Sequence, residues 1–188
     1  MRKTRLICLL ALAVSLSFGQ ELLTNGDFEQ DLSIGWTFTD SGAGTHTYDR
    51  ATDYHPDPDY EAHTYQYDNP GWARLGQTVE CPPPCNLRLD FTAKFEQIGG
   101  TSSCWPAACF SVCYLDENDN VLGETRYYYS TYATWTPSPT FSLYQVTDPD
   151  WTEYTLETMT ELEEKLTGVD PEEIAKIEVA LYSYTYSG

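Results

Sequence analysis

Alternation of apolar and polar side chains dominates this chain. It is clearest in NLRLDFTAKFEQ, where Leu87, Leu89, Phe91, Ala93 and Phe95 alternate with Arg88, Asp90, Thr92, Lys94 and Glu96. A period of two sends successive side chains to opposite faces of a strand, so one face of this segment is core and the other is wet or functional. The same rhythm turns Phe110, Val112 and Tyr114 inward in ACFSVCYLD. LDENDNVLGE then reads as a hairpin turn, with Asn and Asp supplying the turn conformations. Further strands are predicted over 22–25, 35–39, 73–79, 125–132, 151–158 and 177–184. Helix is predicted only over 160–166, capped by Thr160 with Glu163 three residues on, and over 171–175, behind Asp170 and Pro171. Many short strands joined by Gly, Pro and Asp turns predict an all-β fold, an antiparallel β-sandwich. Residues 40–71 and 131–150 show no period and read as long loops, which in compact domains tend to be functional or mobile.

The first 19 residues change the setting of this fold. Arg2, Lys3 and Arg5 precede an apolar run over 6–14, and small residues follow at Ser17 and Gly19. That is the pattern of a secretory signal peptide, too short to span a bilayer, and it predicts a secreted chain beginning at Gln20. The remaining 169 residues suit one domain with a sizeable core. They carry seven Lys and Arg against 29 Asp and Glu, a net charge of −22. Such a surface repels nucleic acid and anionic membranes, and no later apolar stretch is long enough to cross a membrane.

Beyond Cys8 in the leader there are five cysteines, an odd number: Cys81, Cys85, Cys104, Cys109 and Cys113. Pro82, Pro83 and Pro84 in polyproline geometry hold Cys81 and Cys85 roughly 12 Å apart, beyond the ~7 Å limit for a disulfide, unless one proline is cis. Cys109 and Cys113, four apart in a strand, are also too distant, at roughly 13 Å. The expected bridges therefore join the Cys81/Cys85 pair to the 104–113 group, or close a small Cys104–Cys109 loop.

Motifs for catalysis are lacking. DENDN at 116–120 starts like a calcium loop, but Val121 stands where such a loop needs Gly and Tyr127 where it needs Glu. His46, His55 and His63 have no metal-ligand spacing, and no nucleophile elbow, phosphate loop or dinucleotide fingerprint occurs. Aromatic residues are the unusual feature: 15 Tyr, 5 Trp and 7 Phe. Tyr and Trp outside a core make flat amphipathic platforms suited to stacking on sugar rings. The densest cluster is YYYSTYATW, from which Tyr128 and Trp135 are taken as candidate ligand contacts; a second group holds Tyr60, Tyr65, Tyr67 and Trp72.

LLTNGDFE followed by GW resembles the start of carbohydrate-binding modules of families 4, 9 and 22, which share a galactose-binding-like jelly roll. WARLGQTV, NLRLDFTAKFE, LDENDNVLGE and WTEYTLE resemble later pieces of the same group, in the same order. The resemblance implies a non-catalytic module that binds polysaccharide or glycan, with Trp72 as first platform; Gln77, from the same motif, and Tyr67, from the second aromatic group, are taken as further candidate ligand contacts. It also implies a structural calcium held by Glu29, with Asp27 beside it, backbone carbonyls and an Asp on a final strand. A closing strand with an Asp-Asp-Val-like finish, carrying that Asp, is expected after SYTYSG and does not occur among residues 20–188. The competing expectation is an extracellular structural or adhesion domain of the same fold without sugar binding. A hydrolase on this sandwich is a third reading, for which no carboxylate pair stands out.

Overall fold

The structure is a computed structural model in which residues 21–52 and 59–187 are described; the expected signal peptide lies outside them. Alternation builds ten strands: β1 (Thr37–Gly42), β2 (Thr45–Ala51), β3 (Glu61–Tyr67), β4 (Gly71–Glu80), β5 (Arg88–Ala93), β6 (Cys104–Leu115), β7 (Val121–Tyr129), β8 (Phe141–Gln145), β9 (Thr152–Glu157) and β10 (Lys176–Ser187). One sheet has six strands in the order β1-β4-β10-β6-β7-β8, and two further pairs, β2-β3 and β5-β9, form the second layer. The fold is an all-β sandwich, antiparallel except where β8 runs parallel to β7.

Register explains which side chains make the core. Val179 of β10 lies opposite Gln77 of β4 and Val112 of β6, and Leu181 opposite Leu75 and Phe110, so these residues share the inner face. Phe91 of β5 closes over that face, stacking on Phe110 at 4.0 Å and on Tyr154 of β9 at 5.0 Å. The β2-β3 hairpin lies over β10, where the Ser183 hydroxyl donates to the Thr64 carbonyl at 2.8 Å and Gln66 bonds to Thr185. No ladder joins β3 to β5 among the described residues, so the second layer is split.

The predicted strand at 22–25 is instead part of a turn centred on Asn25, which takes a left-handed φ of 55°. Its side-chain amide donates to the carbonyls of Gln30 and Asp31, its Oδ1 accepts from Gln30 N–H at 2.8 Å, and its own carbonyl accepts from Trp36 Nε1 at 3.0 Å. Trp36 is thereby fixed in the core at 6% exposure. Gly35 is required here: at φ +88°, a Cβ would sit 2.6 Å from the Thr24 carbonyl oxygen. Short polar side chains bonding to local backbone compete with a strand, and here they win.

The stretch read as an aperiodic loop over 40–71 contains β2 and β3, and that over 131–150 contains β8. The helix α1 (Thr158–Glu164) begins two residues before the expected cap, because the Thr158 hydroxyl is bound into the core, donating to the Cys85 carbonyl at 2.6 Å. Over 171–175 a single 3-10 turn, Pro171–Glu173, forms with Asp170 capping the Glu172 amide at 2.9 Å. The expected bridges to the 104–113 group are absent. Cys81 bonds to Cys85 instead, with Cα atoms 5.5 Å apart, because the Pro83–Pro84 bond is cis and folds the spacer back. Cys104, Cys109 and Cys113 are free thiols.

Candidate functional site

Most of the inner face of the six-stranded sheet is covered by the core and the second layer, while its outer face gathers half-buried rings and paired charges. Strand alternation puts Trp105, Ala107, Cys109, Ser111 and Cys113 of β6 outward. Register places Tyr182 and Tyr184 of β10 beside them, with Arg74 and Trp72 of β4 beyond. From β7 come Tyr128, opposite Cys109, and Arg126, opposite Ser111. Trp135 reaches the same face from the segment after β7. Ser130 turns that segment back: its hydroxyl donates to the Pro106 carbonyl at 2.8 Å and accepts from the amides of Tyr132 and Ala133.

The rings form a continuous plate. Trp72 lies 6.3 Å from Tyr182, Tyr182 lies 6.0 Å from Tyr184, and Tyr184 lies 5.7 Å from Trp135, centroid to centroid. Trp135 sits edge-on to Tyr128 at 5.3 Å and to Trp105 at 5.4 Å. Trp105 and Tyr128 are buried as the floor, while Trp72, Trp135, Tyr182 and Tyr184 are half-buried and keep part of their surface in water. Burial pushes the Tyr182 phenol well above its ordinary range, so it stays a neutral hydroxyl.

Two arginine–carboxylate pairs stand in this plate. Arg126 lies over the Trp135 ring at 4.5 Å and over Tyr182 at 5.2 Å, and Glu124 holds it by a fork of 2.8 and 2.9 Å. Arg74 bonds to Glu178 at 2.8 Å and to the Cys113 sulfur at 3.3 Å. Burial opposes both charges, but Glu124 for Arg126, and Cys113 with Glu178 for Arg74, outweigh it, and each guanidinium is held above its ordinary range. Burial also pushes the thiols up, Cys109 to about 12 and Cys113 to about 11, which keeps them protonated and unreactive at neutral pH. The face thus offers flat rings and fixed hydrogen-bonding groups.

Of the residues singled out in the sequence, Trp72, Tyr128 and Trp135 come together on this face. Tyr67 does not: it is on β3 in the second layer, exposed, 5.1 Å from Tyr65. Gln77 points to the inner face. It is buried, and its amide accepts from Thr24 N–H at 2.6 Å and donates to the Thr24 carbonyl at 2.9 Å, pinning the opening turn to β4. Glu29 accepts from the Tyr60 amide at 3.0 Å, and Asp27 accepts from the Glu29 amide at 3.3 Å. These two carboxylates fall short of the six to eight oxygens of a calcium shell. Among the described residues no group of three or more His, Cys, Asp or Glu side chains is gathered to complete one. Tyr182, Tyr184 and Arg126 lie on this face and were missed, although YSYTY at 182–186, which runs past the end of the strand predicted over 177–184, alternates aromatic and hydroxyl residues.

What the fold and this face define is an all-β sandwich with an aromatic plate on its larger sheet. No family model and no curated protein matches the chain. Among solved structures it is similar to the enzymatically active domain of tailspike protein 4 of bacteriophage CBA120, at 17% identity and a TM-score of 0.49. That likeness covers 87% of this chain and only 19% of the tailspike chain. It is also similar to the family 11 carbohydrate-binding module of a Clostridium thermocellum cellulosomal cellulase, at 12% identity and a TM-score of 0.44, over 90% of this chain and 92% of that one. A family 11 module from the same organism, in complex with a β-1,3-1,4-mixed-linked tetrasaccharide, aligns at 12% identity and a TM-score of 0.42, over 86% of this chain and 89% of that one. Likenesses this distant carry no conclusion about a ligand. Among the described residues no helix is long and apolar enough to cross a membrane.

Proposed function

We propose that this is a secreted, non-catalytic domain that binds polysaccharide or glycan on the outer face of the six-stranded sheet. One observation carries the reading: four half-buried rings, Trp72, Tyr182, Tyr184 and Trp135, run side by side outside the core. A sugar presents apolar C–H faces and a rim of hydroxyls. The rings supply flat apolar contact for the first, and the edges of the Arg74–Glu178 and Arg126–Glu124 pairs supply donors and acceptors for the second. A net charge of −22 over residues 20–188 suits neutral sugars.

Pull-down on insoluble glucans and xylans tests it. The wild type is retained on at least one of them, and Trp135→Ala lowers retention at least tenfold, about 1.4 kcal/mol, without loss of the folded state. Sugar release that disappears in Glu124→Gln or Glu178→Gln would replace this reading by a hydrolase. One observation favours the structural or adhesive alternative: Cys104 is an exposed free thiol at the start of β6, able to crosslink. Absence of wild-type retention on a broad glycan panel would bring that reading forward.

A further inference from the structure

The second layer is divided. Among the described residues β3 pairs only with β2 and β5 only with β9, so the second edge of each has no partner strand there. Between them lie two adjoining cavities of about 590 and 890 Å³, both bounded by Ala62 on β3, Ala93 on β5, and Phe110, Leu181 and Trp151. The floor is the apolar inner face of β6 and β10. The rim is acidic: Asp59 and Glu61 on one side, Asp90 and Glu153 on the other, Asp68 and Glu96 toward the far end. The rim cations are Lys94 and Arg88, and Arg88 is forked onto Asp90 at 2.9 to 3.1 Å.

Open strand edges above an apolar floor call for a particular occupant. A polypeptide in extended form presents alternating N–H and C=O groups every 3.2–3.4 Å, the repeat that a strand edge offers, whereas a sugar chain has no such repeat. Its side chains point alternately down and up, so apolar residues would meet Phe110 and Leu181 while residues between them meet the rim. With six carboxylates in the two linings against two cations, Lys94 and Arg88, the rim is net negative and favours cations at those upward positions. We propose that this slot takes an extended segment of a partner protein, alternating apolar residues with Lys or Arg, as an added strand between β3 and β5. This site lies on the opposite side of the six-stranded sheet from the aromatic plate and stands whether or not that plate binds sugar.

The test uses the intact chain and a fluorescein-labelled decapeptide of alternating Val and Lys, read by anisotropy, with amide hydrogen exchange as a second readout. The peptide is expected to bind and to slow exchange at the amides of β3 and β5. An alternating Val and Glu peptide, and a Val and Lys peptide N-methylated on one edge, are expected to bind at least tenfold more weakly. Ala93→Trp, which fills the slot without adding charge, is expected to weaken binding at least tenfold while glycan retention is unchanged. If that variant fails to fold, exchange in the wild type decides. Equal binding of the N-methylated or Glu peptide, no binding of the Val and Lys peptide, or slowing confined to other strands overturns the proposal. Slowing of the β3 and β5 amides by neutral oligosaccharides instead would make the slot a sugar site and overturn it too.

Discussion

Gln77 shows how one residue can carry a motif for reasons other than the ligand. Following Trp72 by five positions, it was expected beside the sugar, yet five positions on a strand reverse the face. Trp72 points out and Gln77 in, where it bonds both backbone groups of Thr24. Gln77→Ala removes both hydrogen bonds to the Thr24 backbone and leaves a space at a buried position. It is expected to cost about 1–3 kcal/mol in urea unfolding and to leave sugar affinity within twofold. A large loss of affinity at unchanged stability would return Gln77 to the binding site. Trp135 was found from clustering alone. What could not be read was that Ser130 turns its segment back over the sheet, because a hydroxyl bonding a carbonyl 24 residues earlier leaves no local trace.

Among the elements, strands with clean alternation were legible: β5 and β6 fall where Leu89, Phe91 and Phe110, Val112, Tyr114 place them. β2 and β3 were not, because their inward residues include Thr64 and Gln66, polar side chains satisfied by β10 rather than by apolar packing. The β5-β9 pair also carries a testable pH dependence. Asp90 accepts from the Arg88 fork and from the Thr155 hydroxyl at 2.6 Å, and these bonds hold its carboxyl below the usual 3.8. A carboxylate depressed in the folded state stabilises it above the unfolded pKa, and the contribution is lost as pH falls through the folded value. A carbon-detected NMR titration should therefore place the Asp90 midpoint below 3.8, and Thr155→Val should raise it. A midpoint at or above 3.8 would count against this pairing.

The cysteines can be probed in both layers. Cys81–Cys85 closes a short loop beside β5, and its reduction is expected to cost about 2 kcal/mol, from the entropy of a five-residue loop. Iodoacetamide at pH 7.5 should label Cys104 quickly and spare Cys109 and Cys113, whose thiols are buried and protonated. Mass spectrometry after native labelling reads the count, and rapid modification of all three thiols would contradict the burial of β6.

At the scale of the molecule, sandwich class followed from strand number and turn composition, while the split second layer and the position of β8 followed from long-range pairing that no local pattern encodes. The calcium expected at Glu29 and Asp27 is a further whole-molecule question, since the Asp27 carboxylate serves the opening segment while that of Glu29 ties it to the Tyr60 amide ahead of β3. Thermal melting with and without a chelator tests it: a lower midpoint in chelator would support the cation, and an unchanged midpoint would remove it. The central claim is that the outer face of the six-stranded sheet holds the sugar. The most direct measurement follows the indole N–H signals in a two-dimensional NMR titration with a soluble oligosaccharide taken from the glycan panel. The account predicts that Trp72 and Trp135 shift while Trp36, in the core, and Trp151, at the slot, stay in place; shifts at Trp151 alone, or at no tryptophan, would contradict it.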